Sequence, residues 1–281
     1  MGNYLFIDGG YLRERFREVM RRYHNKAVEL DISNIGKALG SKHIERSDIE
    51  KFFYYDCIDD TPRSGESDED RAVRVSEQVK LFDSIRALPG WHVREGVLVG
   101  SRKQKRSQKR VDVLLAVEML SHAVNKNTQR ALLIAGDDDF TPLVDELLRH
   151  GTYVEVWSDQ SSSSQHLARA ADAGNRLTYF SYWSLTPATF RAENPLPDYG
   201  AHHVLPRGGL VLKHGRTSDG RVAKICLVAG RYHFCTSGEG GIISKVRAHD
   251  LRVLEAFLED EHQKTGDLPE IWVESKQVAA R

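Results

Sequence analysis

The chain has 281 residues, and at roughly 150 residues per domain that accommodates one large domain or a medium one with a small one. Hydrophobic residues make up 40% and charged residues 28%, which is ordinary for a globular protein and excludes wholesale disorder and fibrous classes. Lys+Arg and Asp+Glu both number 40, so net charge neither favours nor excludes a polyanionic partner. No apolar run approaches the roughly 20 residues of a membrane helix, and no membrane partner is expected. The opening MGNYLFIDGG lacks the basic and apolar segments of a secretory signal. Phe6 stands where myristoylation needs Ser or Thr. Cys57, Cys226 and Cys235 form no disulfide framework, which makes a reducing cytoplasm the expected compartment.

In chain order, residues 4–7 (YLFI) read as a buried strand ending in Asp8-Gly9-Gly10, followed by a helix over 11–23. Residues 51–57 (KFFYYDC) read as a second strand. An acidic loop over 59–70 and a helix over 71–88 follow, and Pro89-Gly90 end it. Residues 91–99 form a third candidate strand, after which SRKQKRSQKR at 101–110 carries six basic residues and no acidic one. In 111–124 the apolar residues Val113, Leu114, Val117, Leu120, Ala123 and Val124 predict a helical stripe. An apolar strand at 131–135 (ALLIA), a helix over 141–150, a strand over 153–157 and a helix over 162–173 complete the alternation. Strands alternating with helices at this spacing predict an α/β fold with a parallel sheet sandwiched by helices. In such a sheet a ligand sits beyond the carboxyl ends of the strands, where strand order switches.

Three acidic motifs fall at that edge: Asp8 after the first strand, Asp112 in the first turn of the 111–124 helix, and Asp137 with Asp139 after ALLIAG. One such aspartate is commonly a turn former or a helix cap, so the weight rests on three motifs sharing one edge. In an extended segment Asp137 and Asp139 point together and Asp138 away. Converging carboxylates repel one another unless a divalent cation neutralises them, and hard oxygen ligands suit Mg²⁺ or Mn²⁺. Glu118 lies six residues from Asp112, about 240° around the helix, and faces elsewhere.

FIDGGYL at 6–12, KRVDVLLAVEML at 109–120 and LLIAGDDDFTPLVDELLRHGTYVEVW at 132–157 resemble the three signature blocks of the NYN domain family, within the PIN-like nuclease superfamily. The resemblance spans roughly residues 4–183. It implies a PIN-like, Rossmann-like sheet and a metal-dependent ribonuclease activity. Asp8, Asp112, Asp137 and Asp139 would be the catalytic and metal-binding residues, with Thr141 supplying a hydroxyl near the site. Many relatives carry Asn at the position of Tyr11, a candidate substrate contact, and Gly at the position of Arg110, which here adds a cation beside Asp112. Lys103, Lys105, Arg106, Lys109 and Arg110 are candidate contacts to the backbone of an incoming strand. RNA is preferred to DNA on family grounds, with a 5′-phosphate product expected. The alternative is a catalytically weak RNA-binding or regulatory module that needs a partner. A phosphatase of the haloacid dehalogenase kind is excluded because Gly10 stands where its second aspartate belongs.

Residues 1–185 are thus expected to form the nuclease domain, 186–207 a proline-containing linker, and 208–281 a small α+β domain. In the last of these, β-like runs at 210–213, 222–228 and 232–236 precede a helix over 244–262. A hairpin turning at Ala229-Gly230 would put Ile225, Leu227, Tyr232 and Phe234 on one face, and Cys226, His233 and Cys235 on the other. The latter three lack the paired spacing of common zinc sites and read as ordinary partly buried side chains rather than ligands. The basic residues Arg207, Lys213, Arg216, Arg221, Lys224 and Arg231 make this domain a candidate surface for nucleic acid, a protein partner or a second copy.

Overall fold

The computed structural model describes residues 2–39, 49–96, 111–159, 165–204, 209–217, 220–238, 241–265 and 272–274. The chain divides into two compact units, residues 1–19 with 28–186 and residues 20–27 with 187–281.

The first unit runs β1 (Gly2–Asp8), α1 (Gly9–His24, whose residues from Met20 on are counted with the second unit), α2 (Ile35–Leu39), β2 (Ile49–Asp56), α3 (Asp68–Arg86), β3 (Trp91–Glu95) and α4 (Val111–Val124). It continues with β4 (Thr128–Ile134), α5 (Thr141–Arg149), β5 (Tyr153–Ser158), α6 (Gln165–Ala170), β6 (Ala173–Arg176) and α7 (Tyr179–Ser184). The strands form one parallel sheet in the order β3-β2-β1-β4-β5-β6. Leu5, Phe6 and Ile7 of β1 and Leu132, Leu133 and Ile134 of β4 are all fully buried. That is what a parallel strand covered on both faces requires. Phe6 stacks on Phe53 at 5.1 Å between centroids; burying a ring of this size contributes roughly 1.5–3 kcal/mol. The chain runs outward from β1 through β2 to β3, then crosses from β3 to β4 on the other side of β1 and runs outward again, so the order of strands switches beside β1.

Several expectations need correction. The acidic run does not stay a loop to its end, because Ser67 caps α3 by accepting the Asp70 N–H at 3.0 Å. Asp68, Glu69 and Asp70 then occupy the first turn, where the helix dipole favours them. On α4 the buried face is Val111, Leu115, Met119 and Ala123, whereas Val113, Val117 and Val124 are exposed. The helix is apolar nearly all round, and periodicity alone could not choose its inner side. Residues 165–170 are helical but 173–176 form a strand, so the sixth helix stops short of the expected 173.

The second unit contains α8 (Ala188–Glu193), β7 (Asp198–Val204), β8 (Leu210–Arg216), β9 (Val222–Val228), β10 (Arg231–Gly238), β11 (Gly241–Ala248), α9 (Leu251–Thr265) and β12 (Val273–Glu274). Its strands form an antiparallel sheet in the order β12-β8-β9-β10-β11-β7. Ile225, Phe234 and Val246 pack with Leu254 and Leu258 of α9. Ala229 and Gly230 both have positive φ, 48° and 73°, as a two-residue hairpin turn with the twist of its strands requires. The segment 186–207 is therefore no plain linker, since it contains α8 and the edge strand β7 paired with β11. Residues 244–248, expected at the start of a helix, belong to β11. Burial at 244, 246 and 248 follows the two-residue period of a strand.

Candidate active site

Asp8 is the last residue of β1, and its Oδ1 accepts the Tyr11 N–H at 3.0 Å from the first turn of α1. β4 lies directly beside β1, and three residues beyond its end Asp137 accepts the Asp139 N–H at 3.0 Å. That bond caps a 3-10 turn at Asp138–Phe140. The turn replaces the extended geometry expected there, so strand alternation is not what orients Asp137 and Asp139. Asp112 occupies the first turn of α4.

These carboxylates act on one another. Asp8 is pushed up to about 7, by burial first and then by the charges of Asp112, Asp56 and Asp137, against the lowering effect of the Tyr11 N–H. Asp112 is raised as well, by burial and by the charges of Asp137 and Asp139. The switch point thus gathers Asp8, Asp112, Asp137 and Asp139 into one mutually repelling group. Among the described residues, no three His, Cys, Asp or Glu side chains stand close enough to hold a metal ion as they are. The chemistry of the donor set fits a hard divalent cation, because charges that repel each other at a partly buried edge are those a bound cation would relieve.

A fifth carboxylate at this edge escaped sequence reasoning. Asp56 ends β2, is fully buried, and takes two hydrogen bonds from Arg13, Nε to Oδ2 at 3.1 Å and a terminal guanidinium nitrogen to Oδ1 at 3.1 Å. The Cys57 N–H at 2.8 Å and the Tyr54 hydroxyl at 3.3 Å complete its shell. Tyr54 also donates to the Gly9 carbonyl at 3.4 Å, and a Cβ at Gly9 would lie 2.4 Å from the tyrosine ring. The signal was available: an aspartate closing an aromatic strand, and an arginine one turn into the helix after Asp8.

The remaining candidates divide. The Tyr11 ring packs against Gly136, where a Cβ would lie 2.3 Å from Cε2, and its hydroxyl accepts the Asp159 N–H at 2.7 Å. Tyr11 therefore ties the end of β1 to the segments that leave β4 and β5. Thr141 is buried and donates to Asp138 Oδ1 at 2.9 Å, and His166 Nδ1 stands 3.3 Å from the same oxygen. Lys103, Lys105, Arg106, Lys109 and Arg110 lie outside the described residues. Glu118 faces away from the cluster, held by Arg94 at 2.7–3.0 Å and by the Tyr55 hydroxyl at 2.9 Å.

In the second unit, His233 Nδ1 bonds Ser244 Oγ at 2.9 Å, and Cys226 and Cys235 are buried and free. Three of its candidate cations have local partners: Lys213 meets Glu255 at 2.6 Å, Arg216 donates to the Gly220 carbonyl at 3.1 Å, and Arg231 contacts His249, while Arg207 lies outside the described residues.

The family model described as NYN domain matches residues 4–175. Curated proteins yield no match. Among solved structures, a protein of unknown function from Vibrio parahaemolyticus matches at 18% identity with a TM-score of 0.45, over 63% of this chain and 92% of that one. No helix among the described residues is long and apolar enough to cross a membrane.

Proposed function

Because the chain belongs to the NYN domain family, within the PIN-like nucleases, we propose that it is a metal-dependent endoribonuclease. The observation that carries this reading is the mutual repulsion of Asp8, Asp112 and Asp137 beside the central strand. Asp8, Asp112, Asp137 and Asp139 would hold Mg²⁺ or Mn²⁺. A divalent cation bound there lowers the pKa of a water and offsets the charge that develops in phosphodiester hydrolysis. Asp8 is held for this role by the Tyr11 N–H, and Asp137 by the turn it caps. Tyr11 and Thr141 support the walls of the site through Asp159 and Asp138. The basic segment before Asp112 would neutralise backbone phosphates of the incoming strand. Three unpaired cysteines support a reducing cytoplasm as its place of action.

The test is cleavage of matched RNA and DNA oligonucleotides with Mn²⁺, Mg²⁺ or EDTA, comparing the natural chain with Asp8→Asn and Asp137→Asn. The expected result is metal-dependent cleavage of RNA, at least 100-fold slower in either variant and leaving 5′-phosphates. Equal cleavage of RNA and DNA would remove the RNA preference. RNA binding without cleavage under any metal would replace this reading with that of a binding module.

A further inference from the structure

The edge that carries Asp8 has a basic flank on its β2 side. Arg13 and Arg17 of α1, Arg63 of the loop after β2, and Arg74 of α3 gather there. Three of the four have acceptors. Arg13 is bound by Asp56, Arg63 stands 3.5 Å from Asp59, and Arg74 is bound by Glu66 at 2.6 Å and by the Thr61 carbonyl at 2.9 Å. Arg17 is partly buried, yet has no hydrogen bond or ion pair with any described residue. Burial and the neighbouring charges of Arg13 and Arg63 hold its pKa below the usual arginine value, offset in part by Glu77 and Tyr54.

A partly dehydrated guanidinium beside two like charges is unfavourable by itself. It has the form of an oxyanion receptor waiting for its ligand, with a planar fork of donors on a side chain that does not lose its proton. The place identifies the anion. Arg13 and Arg17 are one helical turn apart and share a face. Arg17 lies eight residues beyond Gly9, about 12 Å along α1, too far to meet the same phosphate as the aspartates. A polyanion lying across a carboxylate cluster needs cations beside the cluster rather than in it.

We propose that Arg17, flanked by Arg63, binds a backbone phosphate of the single-stranded polynucleotide whose scissile bond lies over the aspartates. This deepens the nuclease reading and rests on it.

The test uses the full chain with Arg17→Gln and Arg17→Lys. Without ligand, Arg17→Gln should melt at or above the temperature of the natural protein, because it removes a repelled cation. With labelled single-stranded RNA in EDTA, Arg17→Gln should weaken binding about tenfold at low salt, the effect of one charge-assisted hydrogen bond. It should also lower the slope of log affinity against log salt by about 0.7, while Arg17→Lys keeps the slope. In Mn²⁺, KM should rise with kcat unchanged. Unchanged affinity and slope would overturn the proposal. Lost affinity accompanied by a lower melting temperature would also overturn it, since that marks a structural arginine. If the natural protein neither binds nor cleaves RNA, the nuclease reading falls and takes this one with it. If it does both and Arg17→Gln matches it throughout, only the Arg17 site is refuted.

Discussion

Asp8→Asn should stabilise the metal-free protein, and by an amount that depends on pH in a defined direction. The folded carboxyl titrates at about 7 against an ordinary value of 3.8, and each pKa unit is worth about 1.36 kcal/mol. The ceiling is therefore about 4 kcal/mol, and partial contact with solvent reduces the expected gain to roughly 1–2 kcal/mol. The folded state binds the proton more tightly than the unfolded state. This group's stabilising protonation is thus fully present below about pH 4 and is lost as pH rises toward 7. Asn mimics the protonated acid and keeps the acceptor for the Tyr11 N–H. Asp8→Asn should consequently match the natural protein near pH 4 and exceed it by roughly 3–8 °C at pH 8 in EDTA. Tryptophan fluorescence suits the measurement, because Trp91, Trp157 and Trp183 lie in the first unit. Adding Mn²⁺ at pH 8 should raise the melting temperature of the natural protein and do much less for the variant. No difference between pH 4 and pH 8, or an equal response to Mn²⁺ in both proteins, would refute a repelling, cation-binding cluster.

Arg13→Ala leaves Asp56 buried without its partner and should cost about 3–5 kcal/mol in urea unfolding; a loss under 1 kcal/mol would deny the pair its place in the fold. Gly136→Ala forces Tyr11 away and should slow cleavage more than tenfold at a stability cost of about 1–3 kcal/mol. Tyr11→Phe loses the Asp159 bond, about 1 kcal/mol in urea unfolding. Glu118→Gln should cleave at the natural rate while losing stability by about 1–2 kcal/mol at neutral pH. Burial raises the Glu118 carboxyl, but the hydrogen bonds from Arg94 and Tyr55 outweigh it and hold its pKa below the usual value. Its contribution should begin to fall as acid takes the pH below the ordinary glutamate value, about 4.3, and be lost as the pH passes through the lowered folded value; urea unfolding of the two proteins at pH 7 and over a falling series below about pH 4 checks this.

The parallel sheet was legible because its strands are covered on both faces. Runs such as YLFI and ALLIA have to be apolar throughout, and the helices between them announce the crossovers. Reading failed where two solutions share one pattern. On α4, valines and leucines ring the helix, and only the packing of Val111, Leu115 and Met119 tells which side is inside. At 244–248 a mixed polar and apolar run serves a helix as well as a strand, and pairing with β10 decides. Prolines at 187, 195 and 197 suggested a linker, yet Pro187 caps α8 and the others precede an edge strand, positions a proline tolerates. The aspartates stood out because strand ends are where side chains leave the core. Asp56 did not, because its partner, Arg13, is 43 residues away in the chain.

Asp8 and Asp56 end adjacent parallel strands at the same edge, and the fold treats them oppositely. Asp56 is given a bidentate arginine, a backbone N–H and a tyrosine hydroxyl, so its charge is paired from within although it still acts on Asp8. Asp8 is given one backbone N–H and three repelling carboxylates. Arg13 starts only one turn beyond Asp8, so a cation for Asp8 was within reach of α1, and the geometry directs it to Asp56 instead. The same helix then carries Arg17, without an acceptor among the described residues, one turn further on. An edge that pairs one carboxylate with a guanidinium, leaves its neighbour repelled, and holds a second guanidinium without a described acceptor alongside has the layout that the proposed nuclease requires, a site for each of two ligands of opposite charge. A cation at the aspartates and a phosphate at Arg17 meet that requirement together, and neither alone would.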